Sequence, residues 1–306
     1  MFINKLIEDD SKNSRKFFII DSSSNGKYKD VDLEKYSWNT RQNNRIKEGD
    51  WFIYRRSARF SENREFYFFG AGQFGKISQD KFDSSLVNSE VNNPYVFSRR
   101  ILKKDMDSMI WDFKLLKESW HNSFTTYGIT NINKRDFLNI INLQVEFIGK
   151  EMPLKVNEEP LMVDLYKKRI IKDFSVDDDS TNSHNAARKL LSDEVKFNYG
   201  YKCAITGIST EYLLKNSYII PWSENKQNRL NPKNGICLSV LLHEAFSQGL
   251  ITFENNGSMI ISDIINDDKN LFNILHRYKN KKIPMNKAYS PEKKFLEFHR
   301  SHIFKS

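Results

Sequence analysis

Few side chains in this sequence can do chemistry, and each can be weighed on type and spacing. His243 stands in Val240-Leu241-Leu242-His243-Glu244-Ala245-Phe246-Ser247-Gln248-Gly249, a short helical run that a glycine ends. Its imidazole can ligate a metal or move a proton near neutral pH. Ser247 lies four residues on, so it shares a helix face with His243. Cys203 and Cys237 are not spaced as CxxC and sit beside apolar residues, so they read as buried small hydrophobes rather than half a zinc site. His299 and His302 have i, i+3 spacing that can bind metal, but they read as surface or phosphate-contacting residues of a terminal helix. Asp173, Asp177, Asp178 and Asp179 lack the Gly and distal Glu of a calcium loop and read as solvated linker. Gly70-Ala71-Gly72-Gln73-Phe74-Gly75 has the spacing of a dinucleotide fingerprint. Lys76-Ile77-Ser78 continues it as a strand and no helix follows, so it is a sheet turn or bulge.

The elements that must position these groups differ between the two halves. Lys16–Ile20, Trp51–Tyr54 and Phe66–Phe69 are aromatic or β-branched and bounded by turn residues, which predicts strands. The spacing predicts helices over Met106–Lys117 and Arg135–Leu143. A small curved sheet or barrel with peripheral helices fits residues 1–148. Residues 172–185 have little to bury, and Ala186–Phe197 has helical spacing with Asn185 or Ser183 as its cap. Further on, the pattern predicts a strand at 217–220, a polar loop after Pro221, a return strand near 236–239, and the His243 helix from about Val240 to Gly249. A second hairpin follows, Leu250–Glu254 and Met259–Ile264 around Asn255-Asn256-Gly257.

Composition narrows the class of partner. The 306 residues carry 48 Lys+Arg against 39 Asp+Glu, a net charge of +9, and 13% are aromatic, which excludes a disordered chain. No apolar run approaches the roughly 20 residues of a membrane span. Acids at Glu8, Asp9 and Asp10 stand where a signal peptide needs an apolar stretch, so a soluble, cytoplasmic protein is expected. Residues 1–150 hold 25 basic and 20 acidic side chains, so the excess is shared by both halves. It sharpens in Arg41, Arg45, Lys47, Arg55, Arg56, Arg59 and Arg64, and in Arg277, Lys279, Lys281, Lys282 and Lys287. Such clusters can neutralise the phosphates of a polyanion, or form a solvated face.

Residues 199–253 carry a longer pattern. It comprises Cys203-Ala204-Ile205-Thr206-Gly207, then Ser217-Tyr218-Ile219-Ile220-Pro221-Trp222. It continues with Arg229-Leu230-Asn231-Pro232-Lys233-Asn234-Gly235-Ile236 and ends in His243-Glu244-Ala245-Phe246-Ser247-Gln248-Gly249-Leu250. This stretch resembles the HNH nucleases, the ββα-metal family, in a branch similar to restriction endonucleases. The resemblance implies hydrolysis of a DNA phosphodiester with one divalent cation, usually Mg2+. Residue by residue it makes His243 a metal ligand and Asn234 the asparagine that ties the loop together and orients the base-position side chain. Ser217 falls on a ligand position and Ser247 on an aspartate that can be a second ligand. Tyr218 falls on the histidine that acts as general base, and Arg229 on an arginine that contacts a phosphate or braces the loop.

Two of these positions are altered, with consequences for the chemistry. An ordinary phenol has a pKa of about 10, so about one in a thousand is ionised at neutral pH. Tyr218 can be a base only if the metal or a nearby cation lowers that value. A serine at 247 is a poorer ligand for a hard cation than a carboxylate. Three readings stay open: a working substitute, an engineered or selected knock-out, or a domain that binds DNA without cutting it.

The first half resembles the PUA-like superfamily of modified-base readers, the EVE and YTH type. Tyr36-Ser37-Trp38-Asn39-Thr40, Ile46–Tyr54 and the Gly70–Gly75 turn carry that resemblance. It implies a small barrel whose aromatic pocket holds a flipped base, with Trp38, Asn39 and Trp120 as pocket residues, unless these tryptophans are core. The whole reads as an α+β protein. A PUA-like small β-barrel with helices spans 1–148, a linker 149–184, and a ββα-metal (HNH) nuclease domain with flanking helices 185–306. Its expected partner is double-stranded DNA, modified or not, contacted through Arg229, Arg41, Arg45, Lys281 and Lys282. No membrane is involved, and a homodimer is left open. A conventional sequence-specific restriction enzyme and a non-cleaving DNA-binding protein are the alternatives.

Overall fold

A computed structural model describes residues 6, 15–23, 30–39, 45–107, 112, 128–150, 158–285 and 287–306. The chain divides into two compact units, residues 1–167 and 168–306. The division falls inside a helix, Glu158–Ile170, where an unstructured linker was expected.

In the first unit, strands β1 (Phe17–Ser22), β2 (Lys35–Asn39), β3 (Trp51–Arg56), β4 (Tyr67–Gln79), β5 (Leu86–Leu102) and β6 (Ile129–Ile132) form one sheet. Its order is β2-β5-β4-β3-β1-β6. The β1–β3 pair is parallel and the others are antiparallel. Residues along a strand alternate between faces, which explains two aromatic layers. Phe17, Ile19, Trp51 and Ile53 face Phe137, Ile140 and Ile141 of α1 (Lys134–Lys150). Phe52, Phe18, Tyr36 and Trp38 instead gather around Phe74, with ring centroids 4.6, 6.0, 6.3 and 5.7 Å from it. The register of β4 against β5 slips at Phe68/Gly70, Ala71/Gln73 and Phe74/Ile77. Bulges of this kind bend a strand and raise its twist, which curls the sheet into a half-barrel. The glycine motif therefore lies within a bulged strand, and no helix follows it.

Two buried arginines of this unit are paired with carboxylates. The Arg55 guanidinium donates to Asp21 at 2.6 Å. Arg56 pairs with Asp32, which also accepts from Ser22 and from Tyr166 Oη at 3.3 Å. Burial pushes Asp30 up to about 6, with the hydrogen bond from Ser37 N opposing and the like charge of Asp32 adding to the shift.

The second unit opens, after α2 (Glu158–Ile170), with α3 (Thr181–Asn198), whose N-cap Ser180 accepts from Ser183 N at 3.3 Å. Strands β7 (Leu214–Tyr218) and β8 (Gly235–Ser239) then pair antiparallel, with Ser217 opposite Ile236 and Tyr218 opposite Gly235. Helix α4 (Val240–Ser247) follows directly. The hairpin β9 (Ile251–Phe253) and β10 (Met259–Ile261) comes next, then α5 (Lys269–His276) and α6 (Lys293–His302). Two glycines are required by contact. A Cβ on Gly235 would lie 2.5 Å from Asn216 Oδ1 and 2.7 Å from Val195 Cγ2, so the hairpin seats on α3 only without one. Gly249 ends α4 at φ +73, and a Cβ there would meet Ile303 O at 2.1 Å. Among the described residues no helix is long and apolar enough to cross a membrane.

Candidate nuclease site

The β7–β8–α4 unit brings Ser217 and His243 together although 26 residues separate them: Ser217 Oγ and His243 Nδ1 share a hydrogen bond of 2.9 Å. That bond fixes the ring and leaves Nε2 as the free nitrogen, with the Glu244 carboxylate 3.9 Å away. Burial holds the imidazole pKa below its usual value, Glu244 opposing and Lys215 adding to the shift. Ser247 is exposed at the end of α4.

Asn234 does what its position requires of a loop tie. Its Oδ1 accepts from Ile220 N at 2.9 Å and its Nδ2 donates to Ile220 O at 3.2 Å. Its own carbonyl accepts from Ile219 N at 3.1 Å. The chain just after Tyr218 is thus clamped to the start of β8.

Tyr218 does not fit the role of base in this structure. Successive strand residues point to opposite faces. Ser217 meets α4, whereas the Tyr218 ring packs edge-on against Trp222 at 5.6 Å. Its hydroxyl is buried with no hydrogen-bond partner. Burial pushes the phenol well above its usual range, and the charges of Arg188 and Arg229 offset only part of this. A base would need the opposite shift, and a protonated phenol can donate.

For Arg229 the structure shows the second of the two alternatives. It is 3% exposed. It donates to Trp222 O at 3.2 Å, Val176 O at 2.7 Å and Asp179 at 2.8 Å, so it braces the loop rather than facing DNA. Asp179, expected as solvated linker, is the hub that also receives Lys226 and His184. Those donors hold its carboxyl well below the usual range. His299, expected at the surface, is 1% exposed. It bonds Thr252 Oγ1 at 2.9 Å and Phe246 O at 3.1 Å, locking α6 onto the end of α4.

Of the other expected contacts, Lys281 and Lys282 are exposed in the second unit and Arg45 in the first. Arg41 and Trp120 lie outside the described residues. Trp38 is 3% exposed. It stacks on Tyr36 at 6.0 Å, so the core alternative for this ring is the one observed. Asn39 ends β2, half-buried and opposite Leu86. Residues that the sequence reading passed over are Arg188, His184 and Glu244. Arg188 and His184 are four apart on α3, and Trp222 lies between them: His184 packs edge-on at 5.2 Å and Arg188 covers the ring at 5.0 Å. The i, i+4 spacing was the available signal.

The donor set can be tested against the divalent cation that the fold implies. Among the described residues no group of three or more His, Cys, Asp or Glu is close enough to hold an ion. One imidazole nitrogen and one carboxylate 3.9 Å apart fit a cation that keeps most of its water and takes further oxygens from substrate phosphate, as Mg2+ does. His243 and Glu244 would hold it, with the Ser217 hydroxyl behind the ring.

Residues 203–254 match the family model described as HNH endonuclease, and they span β7, β8 and α4. The second unit thus contains an HNH endonuclease domain. Two solved structures are similar in part. The human THYN1 protein in complex with 5-methylcytosine-containing DNA is 12% identical with a TM-score of 0.30, over 42% of this chain and 97% of that one. The modification-dependent TagI restriction endonuclease is 11% identical with a TM-score of 0.29, over 84% of this chain and 62% of that one. Scores this low leave the fold to rest on the strands and helices described above. No curated protein sequence matches the chain.

Proposed function

We propose that the protein is a restriction-type DNA endonuclease that hydrolyses phosphodiesters at the His243 edge of its ββα unit with a divalent cation. The observation that carries this reading is the Ser217–His243 pair, built by β7 and α4 and set beside the Asn234 clamp within the HNH segment. Ser217 engages Nδ1, which leaves Nε2 for the cation, and Asn234 keeps the β7 end in place. A divalent cation held there would neutralise charge that builds on the phosphate and the leaving oxygen. The first unit would select the DNA, by a modified base. Its half-barrel sheet and its sequence resemblance support that role.

Plasmid cleavage tests the proposal, on DNA with and without base modification, in Mg2+ or EDTA. Cutting that needs Mg2+ and is lost in His243→Ala supports it. Asn39→Ala should weaken any preference for modified DNA. A second reading, binding without cleavage, is favoured by the protonated, buried phenol at the base position. Cutting by Tyr218→His and not by the natural chain would select that reading.

A further inference from the structure

Two polar atoms on touching rings lack partners. Tyr218 Oη and Trp222 Nε1 are both buried without a hydrogen bond, and their rings are 5.6 Å apart. Buried polar groups are nearly always bonded, and one left unpaired costs about 1–3 kcal/mol. Two such donors on rings in contact point to an acceptor that a ligand supplies. Indole N–H is a donor only, and a protonated phenol donates as well, so the missing group must accept.

Charge decides which acceptor it is. The Arg188 guanidinium lies 5.0 Å from the Trp222 ring centre and that of Arg229 4.8 Å from it. Both act electrostatically on the Tyr218 oxygen. Arg229 is already paired with Asp179, so its charge is answered within the fold. Arg188 is exposed on α3, and among the described residues no carboxylate pairs with it. Two neutral donors and one unanswered guanidinium fit an ionised oxyanion, and the flat fork of arginine suits phosphate. Tyr218 as a residue is only half-buried, although its hydroxyl is covered.

We propose that Tyr218 Oη, Trp222 Nε1 and the Arg188 guanidinium hold a backbone phosphate of bound DNA. This rests on the DNA reading above and gives the residue at the base position a different task. Tyr218 is a DNA-holding residue next to the Ser217–His243 pair, on the opposite face of β7.

The test is fluorescence anisotropy with a labelled DNA duplex in EDTA, where cleavage plays no part, from about 50 to 200 mM salt. Tyr218→Phe should weaken binding about tenfold while its melting temperature stays level or rises, because an unsatisfied hydroxyl is removed and the ring remains. Arg188→Gln should weaken binding comparably and lower the salt slope by about one. An internal structural role for the phenol would do the reverse, lowering the melting temperature and leaving affinity alone. Natural protein that binds while Tyr218→Phe binds equally well overturns the phosphate assignment and leaves the DNA reading standing. Natural protein that binds no duplex, modified or plain, overturns both. A base role predicts a third pattern, equal affinity with cleavage lost in Tyr218→Phe, and this also overturns the assignment.

Discussion

Two places in the molecule treat buried polar side chains in opposite ways. In the first, Arg55 and Arg56 are 1% and 5% exposed, yet each meets a carboxylate, and Asp32 is further bonded by Ser22 and Tyr166. In the second, the phenol of Tyr218 and the indole N–H of Trp222 end in nothing. A closed network makes a rigid scaffold, because removing any member strands the rest. An open pair of donors makes a poor scaffold and a ready contact for an acceptor. The contrast separates polar groups that hold the fold from those kept for a ligand.

Four measurements would break or sharpen that contrast. The largest effect is expected for Asp32→Ala, which leaves Arg56 buried without its counter-charge and should cost about 3–5 kcal/mol in urea unfolding of the first unit. A loss below about 1 kcal/mol would mean the network is not structural.

Next comes His299, the paired histidine of the second unit. Burial lowers its pKa to about 4, against about 6.5 unfolded. The unfolded chain then binds the proton more readily between those values. Stability is therefore full above pH of about 6.5 and falls as pH drops towards 4, by up to about 3 kcal/mol. In His299→Gln, unfolding followed across that window should show the slope flattened.

Asn234→Ala removes both side-chain bonds to Ile220 and should destabilise the second unit by about 1–3 kcal/mol in the same assay. The smallest change in stability is expected for Tyr218→Phe, within about 0.5 kcal/mol of the natural chain or above it. A clear loss there would place the phenol with the scaffold groups.

Local pattern carried much of the fold. The return strand near 236–239 is β8 at 235–239, and the helix from Val240 ends two residues before Gly249, at Ser247 with Gln248 as its cap. The first strand of the hairpin is shifted, 214–218 instead of 217–220, because Asn234 takes the backbone of Ile219 and Ile220 into the loop clamp. In the first unit the alternating aromatics marked β1, β3 and β4, but not the 17-residue β5, whose polar stretch Asn88–Asn93 hides its strand character. Helix α1 was expected over 135–143 and runs 134–150. Asp179 is solvated as expected, but its role as an ion-pair hub was not legible, because its partners Lys226 and Arg229 lie 47 and 50 residues away.

By itself the sequence determined that residues 199–253 form a strand–loop–strand–helix unit with one histidine at its working edge, since turn residues, periodicity and motif spacing are local properties. Only the tertiary structure decided what the residue beside Ser217 can do. Strand alternation turns Tyr218 away from His243, and packing against Trp222 removes water from its hydroxyl. The phenol then keeps its proton, because the dielectric around a side chain is set by neighbours that are distant along the chain.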